Sequence, residues 1–126
     1  MKITIKRVYE TPAEDDGLRI LVDRLWPRGL SKEKVKADLW LKDVAPSHEL
    51  RHWFHHESAL WEEFRKRYCA ELDTHQEAVQ VLLKLIEKGK VTLLYSASNE
   101  EQNQAVVLRD YLQQRQSAND KDGKLP

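Results

Sequence analysis

Residues 20–29 read Ile-Leu-Val-Asp-Arg-Leu-Trp-Pro-Arg-Gly. An aliphatic run closed by turn residues is the signature of a buried strand. The residues leaving this strand are an acid, two arginines and a tryptophan, and the bend is closed by Pro27 and Gly29. A planar guanidinium donates paired hydrogen bonds to carboxylate or phosphate, so Arg24 and Arg28 at a strand end are suited to gripping an anion. The competing reading is that they pair with acids of the same protein.

Outward from this stretch, strands and helices alternate. Ile3 and Ile5 alternate with Lys2, Thr4 and Lys6, which predicts a half-buried strand over 2–9. A polar loop over 10–17 leads to the second strand at 18–24. Ser31 is placed to cap a short helix over 32–37, and a third strand is expected from Leu39 to Asp43. Ser47 caps a helix reaching about Phe54. Ser58 opens the next, with Trp61, Phe64, Tyr68 and Leu72 on one face. Thr74 with Glu77, and Ser98 with Glu101, have the spacing of capping boxes for two further helices. Between those helices Val91–Leu94 reads as a strand, and the last helix should end near Gln116. The composition of residues 117–126 predicts a disordered tail after a single domain over 1–116. The fold class is therefore α/β: one compact domain with a mostly parallel sheet of about four strands flanked by helices.

Ligands in such sheets bind at the carboxyl ends of the strands. Three strand ends carry polar groups here: Asp23-Arg24, Lys42-Asp43 and Tyr95-Ser96. If the strands are parallel, these groups converge on one edge. The expected ligand-binding set is Asp23, Arg24, Trp26, Arg28, Asp43, Ser47, Arg51, Tyr95, Ser96 and Asn103. In the loop from Tyr95 to Asn103, a helix N-terminus would add backbone N–H donors. The loop lacks glycine and carries Glu100 and Glu101, so ordinary helix capping competes with an anion site there.

Other chemistry is less well supported. His48, His52, His55 and His56 have spacings compatible with zinc, but no cysteine is near them. A polar helix face is the expected reading, and no metal or cofactor is assigned. Cys69, in mid-helix, reads as structural. Ser96 has no evident base in sequence. Asp23 and Asp43 would form an acid–base pair only if their strand ends meet; orienting arginines is the commoner role. Of the four tryptophans, Trp61 fits the core stripe, while Trp26 is expected to line a pocket or an interface.

The 126 residues carry 21 basic and 21 acidic side chains, so the chain lacks the positive footprint of a nucleic-acid binder. No apolar run approaches membrane-spanning length, no leader is evident at Met1, and a single cysteine forms no internal disulfide. These features favour a cytoplasmic protein.

The chain resembles the YeaO-like branch of the domain of unknown function 488 family across nearly all of residues 1–115. The resemblance rests on Lys6-Arg7-Val8-Tyr9, on the long run from Arg19 to Gly29, and on Pro46-Ser47 followed by Glu49-Leu50-Arg51. It continues through Phe64-Arg65, Tyr68, Glu71-Leu72, Thr92-Leu93-Leu94-Tyr95-Ser96-Ala97, Asn103 and Ala105. It implies a small cytosolic α/β protein, mostly bacterial, and brings no established activity. Longer members of the wider group carry a cysteine at the end of the last strand and a downstream Cys-His-Arg. Here Tyr95-Ser96-Ala97 and Asn103 stand in those places, which puts thiol chemistry in question. An anion-holding loop without its nucleophile is compatible.

Two functions of different kind follow. One is a site for an anionic or phosphorylated small molecule at the strand ends. The other is a protein-binding or regulatory module anchored by exposed Trp26 and Trp53. Neither the ligand, the presence of catalysis nor the oligomeric state is written in the sequence.

Overall fold

The strand Val91–Tyr95, β4, is buried along its whole length. A strand with no polar face must be covered on both sides and paired on both edges. In the computed structural model, which describes residues 3–124 and the side chains of residues 3–116, β4 lies between β1 (Ile3–Arg7) and β2 (Leu18–Leu21). The short β3 (Leu39–Trp40) pairs with the far edge of β2, giving the order β1-β4-β2-β3 with every pairing parallel.

Side chains alternate across a sheet, so each inner strand feeds two cores. Ile20, Val22, Val91, Leu93 and Tyr95 face the larger core. There they meet α2 (His48–Phe54), α3 (Trp61–Asp73), α4 (Gln76–Lys88) and α5 (Gln104–Lys124). Leu21 and Leu94 point the other way, onto Val8 and Val35, where Trp26, Leu30, Ala37 and Trp40 close over them. Val35 belongs to α1, Lys32–Val35. Thr92, the one polar residue of β4, satisfies its hydroxyl by donating to the Asp16 carbonyl at 2.6 Å.

Several boundaries differ from the sequence expectation for physical reasons. β2 stops at Leu21, and β3 holds only two residues because Lys42–Val44 turns into a 3-10 helix. Ser31 and Ser47 accept from the Lys34 and Leu50 N–H groups, as helix caps. Thr74 and Ser98 do not cap. The Thr74 hydroxyl donates back to the Glu71 carbonyl at 2.6 Å, and α4 starts after His75. Asn99 accepts the Glu101 and Gln102 N–H groups, which holds the chain in a turn, so α5 starts at Gln104 with Asn103 bonding the Val106 N–H at 3.1 Å. Short polar side chains competing for nearby backbone groups explain both displacements. Ser58 opens a 3-10 turn and donates to Gln102 instead. α5 carries helix past Gln116 to Lys124, into the stretch read from composition as a tail; residues 125–126 of that stretch lie outside the described residues. Among the described residues no helix is long and apolar enough to cross a membrane.

Candidate functional site

Because all four strands run the same way, the segments leaving β1, β2, β3 and β4 emerge on one edge of the sheet. A cavity of about 530 Å³ opens there, within the size range of small-molecule sites. Its charged lining is three guanidiniums, Arg24, Arg28 and Arg51, against one carboxylate, Asp23. Trp26, Ser96 and Asn103 also line it.

Asp23 is the best-defined group. It is 6% exposed, and the Trp40 indole donates to its backbone carbonyl at 2.7 Å. One carboxylate oxygen accepts the Ser96 N–H at 3.0 Å, and the other accepts the Gln104 side-chain amide. Asp23 therefore ties the end of β2 to both the end of β4 and the first residue of α5. Burial pushes its carboxyl above the usual range, against hydrogen bonds from Ser96 and Gln104 and the charge of Arg51. A carboxyl raised in the folded state binds its proton more tightly there than in the unfolded chain. Its contribution is thus most favourable at acid pH and declines as pH rises through the folded-state value. Asp23→Asn, with the Gln104 amide turned to accept, keeps the hydrogen bonds and removes the buried charge. It should flatten the fall in stability as pH rises above the ordinary carboxylate range and melt no lower than wild type near neutrality. Thermal melts from that range to neutrality check this, and an unchanged slope contradicts it.

The three arginines differ in their freedom. Arg24 donates to the carbonyls of Pro46 and Ala45, both at 3.2 Å, and so clamps the β3–α2 connection. Arg28 is exposed at the rim, where the Tyr9 hydroxyl donates to its carbonyl at 3.2 Å. Arg51, on α2, has a buried Nε with no hydrogen-bond partner. A buried donor left without a protein partner costs free energy unless an ordered water, an ion or a ligand accepts from it.

The remaining members of the expected set lie apart from the cavity lining. Asp43 is exposed on the 3-10 turn, because β3 ends too early to carry it to the edge. Ser47 is spent on structure: its N–H and hydroxyl bond the Glu71 carboxylate at 2.8 and 2.5 Å while it caps α2. Tyr95 is packed in the larger core beneath the loop. Trp26 lines the cavity but is half-buried, its indole donating to the Leu30 carbonyl at 2.7 Å and packed edge-on against Trp40. Trp53 is half-buried too, with the Arg67 guanidinium 4.1 Å above its ring. Neither tryptophan is the exposed anchor that a docking module would need.

Gln104 and the aromatic wall of Phe54 and Phe64 are site residues that sequence reasoning missed. Phe54 and Phe64 stack at 4.3 Å; in the sequence Phe54 marks only the end of a helix and Phe64 one position of an apolar helix face. Gln104 lay hidden because the helix was expected to start several residues earlier. His48, His52, His55 and His56 also line the cavity. No group of three or more His, Cys, Asp or Glu side chains among the described residues is placed to hold a metal ion.

These features define a class: a small all-parallel α/β protein with a polar pocket, rich in arginine, where its strands end. Within that class the chain belongs to the family described as the inactive DUF488-N3 subclade, whose model matches residues 2–126. It is 48% identical over 112 residues to the uncharacterized protein YeaO of Escherichia coli K12, covering 89% of this chain and 97% of that relative. It is 40% identical over 114 residues to the uncharacterized proteins Mb3100c of Mycobacterium bovis and Rv3073c of Mycobacterium tuberculosis, covering 90% of this chain and 96% of each. No solved structure gives a significant match.

Proposed function

We propose that the strand-end pocket binds a small anionic or phosphorylated molecule and does so without transforming it. The observation that carries this reading is Arg51: a guanidinium in the wall of a cavity, with a buried nitrogen unpartnered by the protein. The excess of guanidinium over carboxylate supports a ligand of negative charge, and the start of α5 adds a favourable dipole at the same place. Arg51 holds the anion, Arg28 approaches from the rim, and Arg24 keeps the connection between β3 and α2 in position. Ser96, Asn103 and Gln104 orient the ligand. The absence of cysteine from the β4–α5 loop fits a seat without a nucleophile, as does membership of a subclade described as inactive. The alternative of a tryptophan-anchored docking module has less support, since Trp26 and Trp53 are engaged internally.

A ligand that binds only the native state raises stability by about 2.7 kcal/mol at a concentration 100 times its Kd. Phosphate, a sugar phosphate or a small carboxylate is therefore expected to raise the melting temperature of the wild type, while Arg51→Gln, folded as judged by its own melt, does not respond. If no anion shifts the wild type, or Arg51→Gln responds equally, the reading fails.

A further inference from the structure

An anion seat that contains a carboxylate presents a problem of chemistry. Asp23 lies in the same cavity wall as Arg51 and repels any anion that offers it only lone pairs. The hydrogen bonds it already accepts come from the Ser96 N–H on one oxygen and the Gln104 amide on the other, and the Ser96 side chain also bonds the carboxylate. An ionised carboxylate has about four acceptor sites, so these three donors leave one for a ligand in the cavity that Asp23 lines. The position of the group is also fixed, by the Trp40 indole on its backbone carbonyl and by the two donors from β4 and α5. The Asp23 carboxylate therefore cannot swing out of the way without breaking its bonds to the end of β4 and the start of α5.

We infer that Asp23 sets ligand choice, selecting oxyanions that carry a hydrogen of their own beside the negative charge. A phosphate or phosphate ester with a remaining P–OH, or a carboxylate with an adjacent hydroxyl, donates that hydrogen to Asp23 while Arg51 takes the charge. An oxyanion of the same shape with no hydrogen places a second acceptor against a fixed buried acceptor and is rejected. A site built around a polar group discriminates strongly against analogues lacking the matching partner, because the loss leaves that group unpaired. The inference rests on the anion-seat reading and adds to it a ligand class and a selecting residue.

Inorganic phosphate and sulfate separate the two ideas. At about pH 8 both are tetrahedral dianions, so one hydrogen is the main chemical difference between them. Titration calorimetry on the full chain is expected to show phosphate binding at least about tenfold more tightly than sulfate. Fluorophosphate, a dianion of similar size without the hydrogen, should group with sulfate, and this comparison needs no mutation. Asp23→Asn, whose amide can both accept and donate, should bring the affinities together, largely by improving sulfate. Equal binding of phosphate and sulfate by the wild type overturns the selection while leaving the anion seat standing. A preference that survives in Asp23→Asn overturns the assignment to this residue. Binding of none of the three removes the anion seat itself, and the inference with it.

Discussion

Replacing Gly17 with alanine is expected to destabilise the protein by about 3 kcal/mol or more, among the largest single effects available in this chain. Gly17 sits between the 3-10 turn Glu14–Asp16 and the start of β2, at φ 68° and ψ −142°. That backbone region is open almost only to glycine, and a side chain there costs on the order of 1–3 kcal/mol. The local space makes matters worse. A Cβ at this position would overlap the carbonyl of Lys90, which accepts the Leu18 N–H at 3.0 Å and starts the β2–β4 ladder. The obstructing atom is backbone at the entry to the most buried strand, so it has little room to retreat. Chemical denaturation of Gly17→Ala against wild type measures the loss. A difference below about 1 kcal/mol would show that the turn re-forms in another conformation at little cost.

The second large effect is expected a few ångströms away. Asp16 is buried and receives the Arg19 guanidinium at 2.5 Å, the Lys6 ammonium at 2.9 Å and the Ala13 N–H at 2.9 Å. Arg19 continues the network to the carbonyls of Val35 and Lys36 at 2.7 and 3.0 Å. This pins the β1–β2 crossover, β2 and α1 together at the amino end of the sheet. Asp16→Ala leaves a buried guanidinium without its counter-charge, which costs about 3–5 kcal/mol where such pairs are broken from one side. The pH dependence gives a separate test. Burial alone would raise the Asp16 carboxyl, but the Ala13 N–H, Lys6 and Arg19 bring it down from 3.8 to about 2. A carboxyl lowered in the folded state contributes stability that is fully present above its unfolded value and is lost as pH falls through the folded value. Wild type should therefore lose stability as pH drops from 3.8 toward about 2, and Asp16→Asn should lack this part of the decline. Parallel acid titrations of the two proteins, followed by circular dichroism, would contradict it if the curves had the same shape.

Both positions lie at the end of the sheet opposite the pocket. A parallel sheet separates its tasks in this way: the amino ends of the strands are fastened by crossovers, while the carboxyl ends release loops that are free to vary. Substitutions at Gly17 or Asp16 should weaken folding without altering which anion is preferred, whereas the hydrogen-bond-preserving Asp23→Asn should change the preference and Arg51→Gln should abolish the response to anions, with the fold kept.

The alternation of aliphatic runs with amphipathic helices was enough to read the fold class, because burial imposes period 2 on strands and 3.6 on helices. Ser31 and Ser47 were equally readable, since an N-cap bonds a backbone group only three residues away. Parallel strands bring the ends of β2 and β4 to one edge, and Asp23, Arg24 and Ser96 there line one cavity, as the chain's pattern implies. What lies beyond local pattern was hidden. The loss of Ser47 to Glu71, 24 residues away, left no trace in the spacing of either residue. The length of β3 depended on how far an edge strand stays paired, and that decided the place of Asp43. The late start of α5 depended on Asn99 and Asn103 outcompeting Ser98 for the backbone, and it brought Gln104 onto Asp23. Periodicity and capping are written within a few residues, so the order of elements and the edge where they converge could be read from the chain. The partner each polar group takes is chosen among atoms 17 to 81 residues apart, as with Trp40 and Gln104 on Asp23, and only the folded arrangement makes that choice.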